Sequence, residues 1–374
     1  MHTFDFTDLF LFLGISQGIF LAITIHVVQN KNKIANRVLS LLLILSSILL
    51  TGKFMYSFDA KNEWFFRIAV FMDAMIFILG PFLYMYCRRL IFNETPAFKI
   101  HYLYFVPFLG MCLYYIWTLT YTHQELIAMG RAGKLLVPFF TIETCGLAFN
   151  YYFCYRSYIL IKTYERQEKK NLSYSQHVIA FLKVVLVVIT VFFTMWLISY
   201  VSAYFLRAYL PYINYNTTWI AFPIFIYVIG FFSLKQPSIF RVPIAKKDRQ
   251  KNKERVDGPE LERLKNDLQK LMVEEKIYLN HKLTLIDMAQ QLNTSSNNVS
   301  WLLNNIHESS FYDFINHYRV QEFINKVERG EHQNHTLLAL SLDSGFNSKS
   351  TFNKAFKIVM NETPSNYIKK MRVI

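Results

Sequence analysis

The chain has 374 residues, a formal net charge of +14 and only 18% charged residues. Soluble proteins carry about 25% charged residues, and the deficit here is confined to one part of the chain. Residues 1–234 contain 28 Asp, Glu, Lys and Arg residues, whereas the shorter segment 235–374 contains 38. This division excludes a single uniform globular domain, and the hydrophobic content of 53% excludes a wholly disordered chain.

Seven apolar stretches follow one another in the first part, each close to the roughly 20 residues that a helix needs to cross a bilayer. They are 9–28, 38–57, 66–87, 102–121, 135–156, 184–206 and 214–234. Soluble core helices rarely contain such long apolar runs. We therefore predict an all-α fold that begins with a seven-helix transmembrane bundle over residues 1–234.

The charges of the loops predict the orientation of this bundle, because Lys and Arg are enriched in cytoplasmic loops. The connections after the first, third and fifth stretches contain 11 Lys and Arg residues in total. The connections after the second, fourth and sixth stretches contain five, if Arg67 at the edge of the third stretch is included. We therefore predict that the N-terminus lies outside and that the chain after the seventh helix lies in the cytoplasm.

Three ionisable residues interrupt the apolar stretches, namely Lys53, Asp73 and Glu143. The predicted topology places all three in the outer half of the bilayer. An unpaired charge in lipid is costly, so we expect these side chains to pair with one another inside the bundle. Two interpretations remain open, a structural brace between helices and the floor of a sensing pocket that opens to the outside.

The sequence offers no pattern for a metal site or an enzyme. Cys87, Cys112, Cys145 and Cys154 lie in apolar surroundings, without CxxC spacing and without ligand-like histidines. We therefore predict free thiols, no disulfide and no metal site. Because HExxH and P-loop motifs are also missing, we predict neither an enzymatic activity nor a cofactor.

A basic linker is predicted over residues 235–259, with the run KKDRQKNKER at 246–255. A solvated tether, a contact with anionic lipid headgroups and a non-specific attraction to DNA are all compatible with it. The next stretch, 259–272, has leucines at helical spacing. These are Leu261, Leu264, Leu268 and Leu271. We favour packing of this stripe onto the following domain over dimerisation through a coiled coil.

Residues 260–374 are predicted to form a helical domain with two helix-turn-helix units. In the first unit, a helix over 283–292 starts with Thr284 and Asp287 at capping-box spacing, and a tight turn leads to a second helix over 296–306. A long helix over 311–330 follows. The second unit repeats the pattern with helices in 335–346 and 348–360.

The second unit also carries a specific motif. It consists of Gly345-Phe346-Asn347-Ser348, Ser350, Phe352, Phe356-Lys357 and Thr363-Pro364-Ser365-Asn366-Tyr367. With this motif, segment 283–370 resembles the DNA-binding domain of AraC/XylS-type bacterial transcription regulators. Asn293, Asn361 and Glu308 stand where that family often has Gly. Asn tolerates a left-handed turn, whereas for Glu308 the sequence offers no compensating residue.

The resemblance implies two DNA-reading helices, and the candidate base-reading residues are carried over by position. They are Asn297, Ser300 and Trp301 in the first unit, and Lys349, Ser350, Asn353 and Lys354 in the second, with Lys357 on the same open face. Between Lys282 and Arg319 there is no Lys or Arg. We therefore expect the second helix-turn-helix unit to supply most of the attraction to phosphate.

These predictions combine into a multi-pass regulator in the cytoplasmic membrane of a bacterium, which senses a ligand or membrane state and binds DNA in the cytoplasm. The expected partners are promoter DNA, membrane lipid, RNA polymerase, an unidentified signal and a second copy of the chain. We expect the signal to pass through the seventh helix and the linker 235–259. The alternative is a transporter or receptor whose C-terminal domain is a regulatory or docking module.

Overall fold

A computed structural model describes residues 6–28, 32–58, 62–92, 101–206, 210–234 and 258–371. It is 83% helical, and no strand is present in these ranges, which confirms the predicted all-α class. The chain divides into two compact units. The first unit comprises Met1–Lys162 and His177–Arg241, and the second comprises Thr163–Gln176 and Val242–Ile374. The sequence predicted the second unit without its first segment, Thr163–Gln176.

Nine α-helices lie wholly or partly in the described residues of the first unit. They are α1 (Phe6–Val28), α2 (Lys33–Phe58), α3 (Glu63–Asp73), α4 (Ile76–Ile91), α5 (Val106–Thr118), α6 (His123–Arg131), α7 (Leu136–Asn171), α8 (His177–Val201) and α9 (Tyr215–Leu234). A 3-10 helix (Tyr102–Phe105) precedes α5, and a π-helical turn (Ser202–Leu206) extends α8. Helix α7 belongs to both units, because its residues from Thr163 onward are part of the second.

Helices occupy all seven predicted apolar stretches, but fewer than seven satisfy the length and composition of a membrane crossing. Among the described residues, four do so: Phe6–Val27, Lys33–Tyr56, Glu63–Ile91 and Val178–Leu206. A bent pair, Tyr102–Thr118 with His123–Arg131, makes a fifth if it counts as one span. Glu143 and Asn150 dilute the apolar half of α7, and the apolar part of α9 covers only Tyr215–Phe231.

Small residues bring α1 close to its neighbours in the first unit. A Cβ atom at Gly14 would lie 2.8 Å from Pro223 Cγ of α9 and 2.9 Å from Leu50 Cδ1 of α2. A Cβ atom at Gly18 would collide with Ser47 Oγ of α2. Glycines at such positions let helix backbones approach each other, a packing mode that is frequent in membrane proteins.

The start of α4 is held by Asn150, a fully buried residue of α7. Its Oδ1 accepts a hydrogen bond from the Gly80 N–H at 3.0 Å, and its Nδ2 donates to the Ile76 carbonyl oxygen at 3.2 Å. Backbone groups freed at a break in an apolar environment need such partners, because water is not available there. Asn150 thereby fixes α7 to the first turns of α4.

The surface of the first unit exposes many large apolar side chains. Examples with more than 60% exposure are Phe20, Val27, Leu113, Val137 and Val187. Large apolar surfaces on a protein mark contacts with another apolar phase or partner. The apolar helices and this surface are compatible with a membrane-associated protein.

Seven α-helices follow in the second unit. They are α10 (Gly258–Val273), α11 (Leu285–Gln291), α12 (Ser296–Asn305), α13 (Phe311–Glu328), α14 (Leu337–Asp343), α15 (Lys349–Met360) and α16 (Pro364–Met371). The predicted leucine stripe lies on α10, where Leu264, Leu268 and Leu271 are buried in the domain core. This confirms packing onto the domain. The basic run 246–255 lies outside the described residues.

Helix α13 joins two apolar cores in the second unit. Its residues Phe311 and Ile315 pack in the core around α11 and α12, and its residues Val320 and Phe323 pack in the core around α14 and α15. One continuous helix therefore holds both helix pairs. Ile286 in α11 and Ile306 after α12 remain 45% and 42% exposed.

Candidate functional sites

The first helix pair of the second unit is built by local hydrogen bonds. The Thr284 hydroxyl accepts a bond from the Asp287 N–H at 3.2 Å, and the Asp287 carboxylate accepts one from the Thr284 N–H at 2.9 Å. This is the predicted capping box. Asn293 takes a left-handed φ of 51°, and Ser295 caps the start of α12. A capped helix, a short turn and a second capped helix make a helix-turn-helix unit.

The second pair has the same construction. α14 leads to Gly345, which has a φ of 90°, and Ser348 then caps α15 by accepting from the Thr351 N–H at 3.2 Å. A Cβ atom at Gly345 would lie 2.8 Å from Leu279 Cα and would also collide with the Tyr278 carbonyl oxygen. Glycine is therefore required here both by the left-handed backbone and by the close approach.

Glu308, the replacement that the sequence could not explain, keeps the left-handed backbone. Its φ is 49°, and Asn361 at the end of α15 has a φ of 56°. Left-handed conformations cost a residue with a Cβ atom roughly 1–2 kcal/mol, and Asn less. The turn before α13 thus keeps the left-handed backbone that glycine favours, although this conformation is less stable for Glu308 than for glycine.

Helix α15 has one buried and one open face. Thr351, Phe352, Ala355 and Phe356 are buried. The predicted base-reading residues on the other face, Lys349, Ser350, Asn353, Lys354 and Lys357, are all exposed. None of the three lysines forms an ion pair with any residue that the structure describes. A helix fixed by an apolar stripe, with free polar and cationic side chains outward, suits entry into a major groove.

Helix α12 presents a smaller and uncharged face. Asn297 is exposed, whereas Ser300 is half-buried and its hydroxyl accepts a bond from Asn304 Nδ2 at 3.2 Å. Trp301 is half-buried and packs against the first core. Among the candidate base-reading residues of the first helix pair, Asn297 is thus the most exposed, while Trp301 contributes to packing.

A family model for the helix-turn-helix domain matches residues 288–370. This segment is a helix-turn-helix domain of AraC type. The match begins within α11 and includes the rest of both helix pairs. It supports DNA binding and transcription regulation as the role of the C-terminal part. Comparisons of the chain with curated proteins and with solved structures gave no match.

A buried arginine lies at the centre of the unit that contains the helix-turn-helix domain. Arg319 of α13 has no exposed surface, and burial lowers its pKa to about 9, which leaves it charged at neutral pH. Its Nε donates a hydrogen bond to the Tyr278 carbonyl oxygen at 2.7 Å, and its Nη2 donates one to the Asn280 carbonyl oxygen at 2.7 Å. A further bond joins Nη1 to Asn316 Oδ1 at 3.2 Å.

The remaining two donors of Arg319 go to Ser173, in the segment that follows α7. Nη1 donates to the Ser173 carbonyl oxygen at 2.8 Å, and Nη2 donates to Ser173 Oγ at 3.0 Å. All five guanidinium N–H donors are therefore used, without a carboxylate. The Ser173 carbonyl oxygen also accepts from Asn316 Nδ2 at 3.1 Å.

The same segment pairs with the backbone that leads into α11. The Ser173 N–H donates to the Leu283 carbonyl oxygen at 3.2 Å, and an isolated antiparallel bridge joins Leu172 to Thr284. Leu172 and Ser173 are fully buried. Residues 172–173 are thus an integral part of the second unit, although the match to the family model begins more than a hundred residues later.

Sequence reasoning missed this cluster. A signal was present for Arg319, because it lies on the same helical stripe as the apolar residues Ile315 and Phe323, where an arginine is unusual. Ser173 gave no signal, since it follows a polar and basic stretch that reads as an ordinary loop.

The first unit contains a cavity of about 250 Å³ whose lining includes two of the three predicted sensing residues, Asp73 and Glu143. Glu143 accepts hydrogen bonds from Tyr215 Oη at 2.7 Å, Trp196 Nε1 at 3.1 Å and Tyr204 Oη at 3.2 Å. All three donors are neutral. Glu143 is therefore held by uncharged side chains of the π-helical turn, α8 and α9.

The expected ion pairing among the three charged residues is wrong. No ion pair within 4.0 Å joins Lys53, Asp73 or Glu143 to one another. Lys53 Nζ instead lies 3.5 Å from Asn216 Oδ1 and 5.6 Å from the centre of the Tyr56 ring. Lys53 therefore contacts an amide oxygen and an aromatic ring rather than a carboxylate.

Proposed function

We propose that the chain is a membrane-embedded, sequence-specific transcription regulator in the cytoplasmic membrane of a bacterium. Its first unit senses a ligand or a membrane state, and its helix-turn-helix domain binds promoter DNA. The observation that carries this proposal is the hydrogen bonding of Ser173 to Arg319. It makes the residues that directly follow α7 part of the unit that binds DNA.

The length of α7 supports a path from the membrane to the DNA-binding unit. Its 36 residues correspond to about 54 Å at 1.5 Å per residue, which exceeds the roughly 30 Å hydrocarbon thickness of a bilayer. Its first 21 residues, 136–156, are mostly apolar, and its remaining residues, 157–171, contain four Lys and Arg residues and two Glu residues. In our proposal the first half crosses the membrane and the second half continues in the cytoplasm.

We place seven spans in the membrane, with α7 and α9 added to the five that length and apolar composition favour. The loop charges then put the N-terminus outside and the second unit in the cytoplasm, where DNA is accessible. Reporter fusions after residues 60 and 128 should lie outside, and fusions after residues 30 and 95 should lie inside. A second unit outside the membrane would contradict the proposal.

The signal route in this proposal is α7. The sequence alone suggested the last helix and the linker 235–259, most of which lies outside the described residues. α7 instead runs without interruption from the cavity-lining Glu143 to Asn171, two residues before Ser173. A shift of α7 in response to a signal would change the bonds of Ser173 to Arg319 and the spacing of the two helix pairs.

On DNA, the two helix pairs have different tasks in our proposal. The exposed lysines of α15 neutralise phosphates and anchor the domain, and Asn297 of α12 adds base discrimination without a charge. RNA polymerase, lipid and a second copy of the chain are the further partners that we expect.

The experiment for this proposal is a selection of binding sites from random DNA by the purified full-length protein in lipid nanodiscs. We expect enrichment of a defined sequence by the wild type and loss of that enrichment in Lys354→Ala. Lys265→Ala is the matched control, because Lys265 lies on α10 and pairs with Glu262 at 2.8 Å. Recovery of unselected DNA by the wild type would contradict sequence-specific binding.

A further inference from the structure

The cavity of the first unit combines acidic and aromatic groups. Asp73 of α3 and Glu143 of α7 both line it, and its walls include the rings of Phe77, Phe192, Trp196 and Trp219. Asp73 is the last residue of α3, directly before the break at Ala74 and Met75. Interrupted helices within membrane spans are frequent places for ligands.

The Asp73 carboxylate has no partner of its own. It forms no hydrogen bond and no ion pair with any residue that the structure describes. The charged side chain that acts on it electrostatically is Lys53, which does not line the cavity and lies beyond ion-pair distance. A carboxylate in apolar surroundings without a close cation is expensive, and a cation in the cavity would offset this cost.

Glu143 does not relieve the shortage of positive charge. Its carboxyl group accepts three hydrogen bonds, all from neutral donors. Asp73 and Glu143 thus bring two carboxyl groups to the cavity, and no Lys or Arg is among its lining residues. A cationic ligand would meet two carboxyl groups there and no competing cationic side chain.

The aromatic walls narrow the class of cation. Trp and Phe faces attract organic cations through their negative ring faces, and carboxylate–aromatic pockets recognise ammonium groups in this way. Metal ions prefer several oxygen or nitrogen ligands, and no group of three His, Cys, Asp or Glu residues that suits a metal exists among the described residues. The volume of about 250 Å³ admits only a small molecule.

We propose that this cavity binds a small organic ammonium ion, with the ammonium group at Asp73 and the apolar part against Trp196 and Trp219. The identification of the bound cation as the signal rests on the proposed sensing function. Binding itself concerns the first unit alone.

The test uses purified full-length protein in nanodiscs and two probes of nearly equal shape, benzyltrimethylammonium and its uncharged analogue neopentylbenzene. Binding is read from the quenching of tryptophan fluorescence and from the shift in melting temperature. We expect the cation to bind at least tenfold more tightly than the neutral analogue. Equal binding of both probes, or no binding of the cation at millimolar concentration, would overturn the proposal.

Variants locate the site. Asp73→Asn should weaken binding of benzyltrimethylammonium at least tenfold, while Glu63→Gln, which removes an exposed carboxylate from the same helix, should leave it unchanged. Trp219→Leu should weaken binding and Trp219→Phe should largely restore it, since a ring is retained. These two variants decide the matter if Asp73→Asn does not fold. Unchanged affinity in a folded Asp73→Asn, or in Trp219→Leu, contradicts the assignment.

Failure of this inference and failure of the proposed function give different results. If the cation binds but promoter output in cells does not respond to it, the cavity assignment stands and the sensing proposal loses its signal. If DNA selection succeeds and no cation binds, the regulator stands and the ligand class is wrong.

Discussion

Arg319 of α13 donates two hydrogen bonds to Ser173, at 2.8 Å to its carbonyl oxygen and at 3.0 Å to its hydroxyl. The two residues are 146 positions apart in the sequence. These two bonds complete the hydrogen bonding of a buried guanidinium group that has no carboxylate partner. The unit that carries the helix-turn-helix domain is therefore discontinuous in sequence, and its C-terminal segment lacks two acceptors when it stands alone.

A first prediction concerns the isolated segment 258–374. Without Ser173, two buried donors of Arg319 lose their acceptors, and each such loss costs about 1–3 kcal/mol. We expect this fragment to be markedly less stable to heat or urea, and we expect a synthetic peptide of residues 163–176 to raise its melting temperature in a saturable way. A Leu172→Asp peptide is the matched control, because Leu172 is fully buried. A folded fragment that ignores the wild-type peptide would refute the role given to Ser173.

A second prediction compares two glycines with left-handed backbones. Gly345→Ala should prevent folding of the helix-turn-helix domain, because the new Cβ atom would collide with the backbone at Tyr278 and Leu279. At Gly330, which has a similar φ of 78°, a Cβ atom would make only an ordinary contact of 3.8 Å with Gln333 Nε2. Gly330→Ala should therefore cost only about 1–2 kcal/mol from backbone strain. Urea unfolding and DNA binding measure both. Similar losses in the two variants would show that the close approach at Gly345 is not important.

A third prediction separates the two DNA-reading helices. Lys354→Ala should weaken DNA binding by about 1–3 kcal/mol if the lysine contacts a guanine, or uniformly across sequences with a smaller salt slope if it contacts phosphate. Asn297→Ala should cost less affinity and mainly relax base preference at one half-site. Binding to matched and mismatched sites at several salt concentrations distinguishes these effects. Equal and sequence-independent losses in both variants would contradict the division of tasks.

A fourth prediction concerns acid stability. Burial opposes ionisation of Glu322, but hydrogen bonds from Lys276 at 3.1 Å and Tyr278 at 3.1 Å outweigh it and hold the pKa of Glu322 below its usual range. A lowered pKa in the folded state stabilises the protein above the unfolded value of about 4.3, and this stabilisation is lost as the pH falls further.

Glu322→Gln should therefore remove a stabilisation that is present at neutral pH and absent in acid. We expect the difference in free energy of unfolding between wild type and variant to shrink as the pH falls from 6 to 3. Glu328→Gln is the control at an exposed position of the same helix. A difference that does not change with pH would indicate that the Glu322 charge has no part in it.

Much of the second unit could be predicted from the sequence, because its determinants are local. The capping box of Thr284 and Asp287, the turns at Asn293 and Gly345 and the buried stripe of α10 all follow from neighbouring residues. The residues of α15 that the sequence placed on its open face are exposed. Their contacts with DNA stay predictions.

The parts that the sequence could not predict depend on distant residues. The pairing of Ser173 with Arg319 joins segments that are far apart in the sequence, and periodic patterns in a sequence report only on neighbouring residues. The charges of the first unit were expected to neutralise one another. Instead, Glu143 accepts hydrogen bonds from neutral donors on other helices, and Asp73 accepts no hydrogen bond from the described residues. The number of spans was read from apolar length alone, and the polar residues of α7 make that criterion insufficient.

The most direct test of the account is chromatin immunoprecipitation of the full-length protein from the membrane fraction of cross-linked host cells. The wild type should enrich a small number of promoter regions, and a Lys349→Ala, Lys354→Ala double variant of equal membrane abundance should lose that enrichment. If the wild type enriches no discrete region, or if the double variant gives the same profile, the central claim that a membrane-embedded chain binds specific DNA through α15 is wrong.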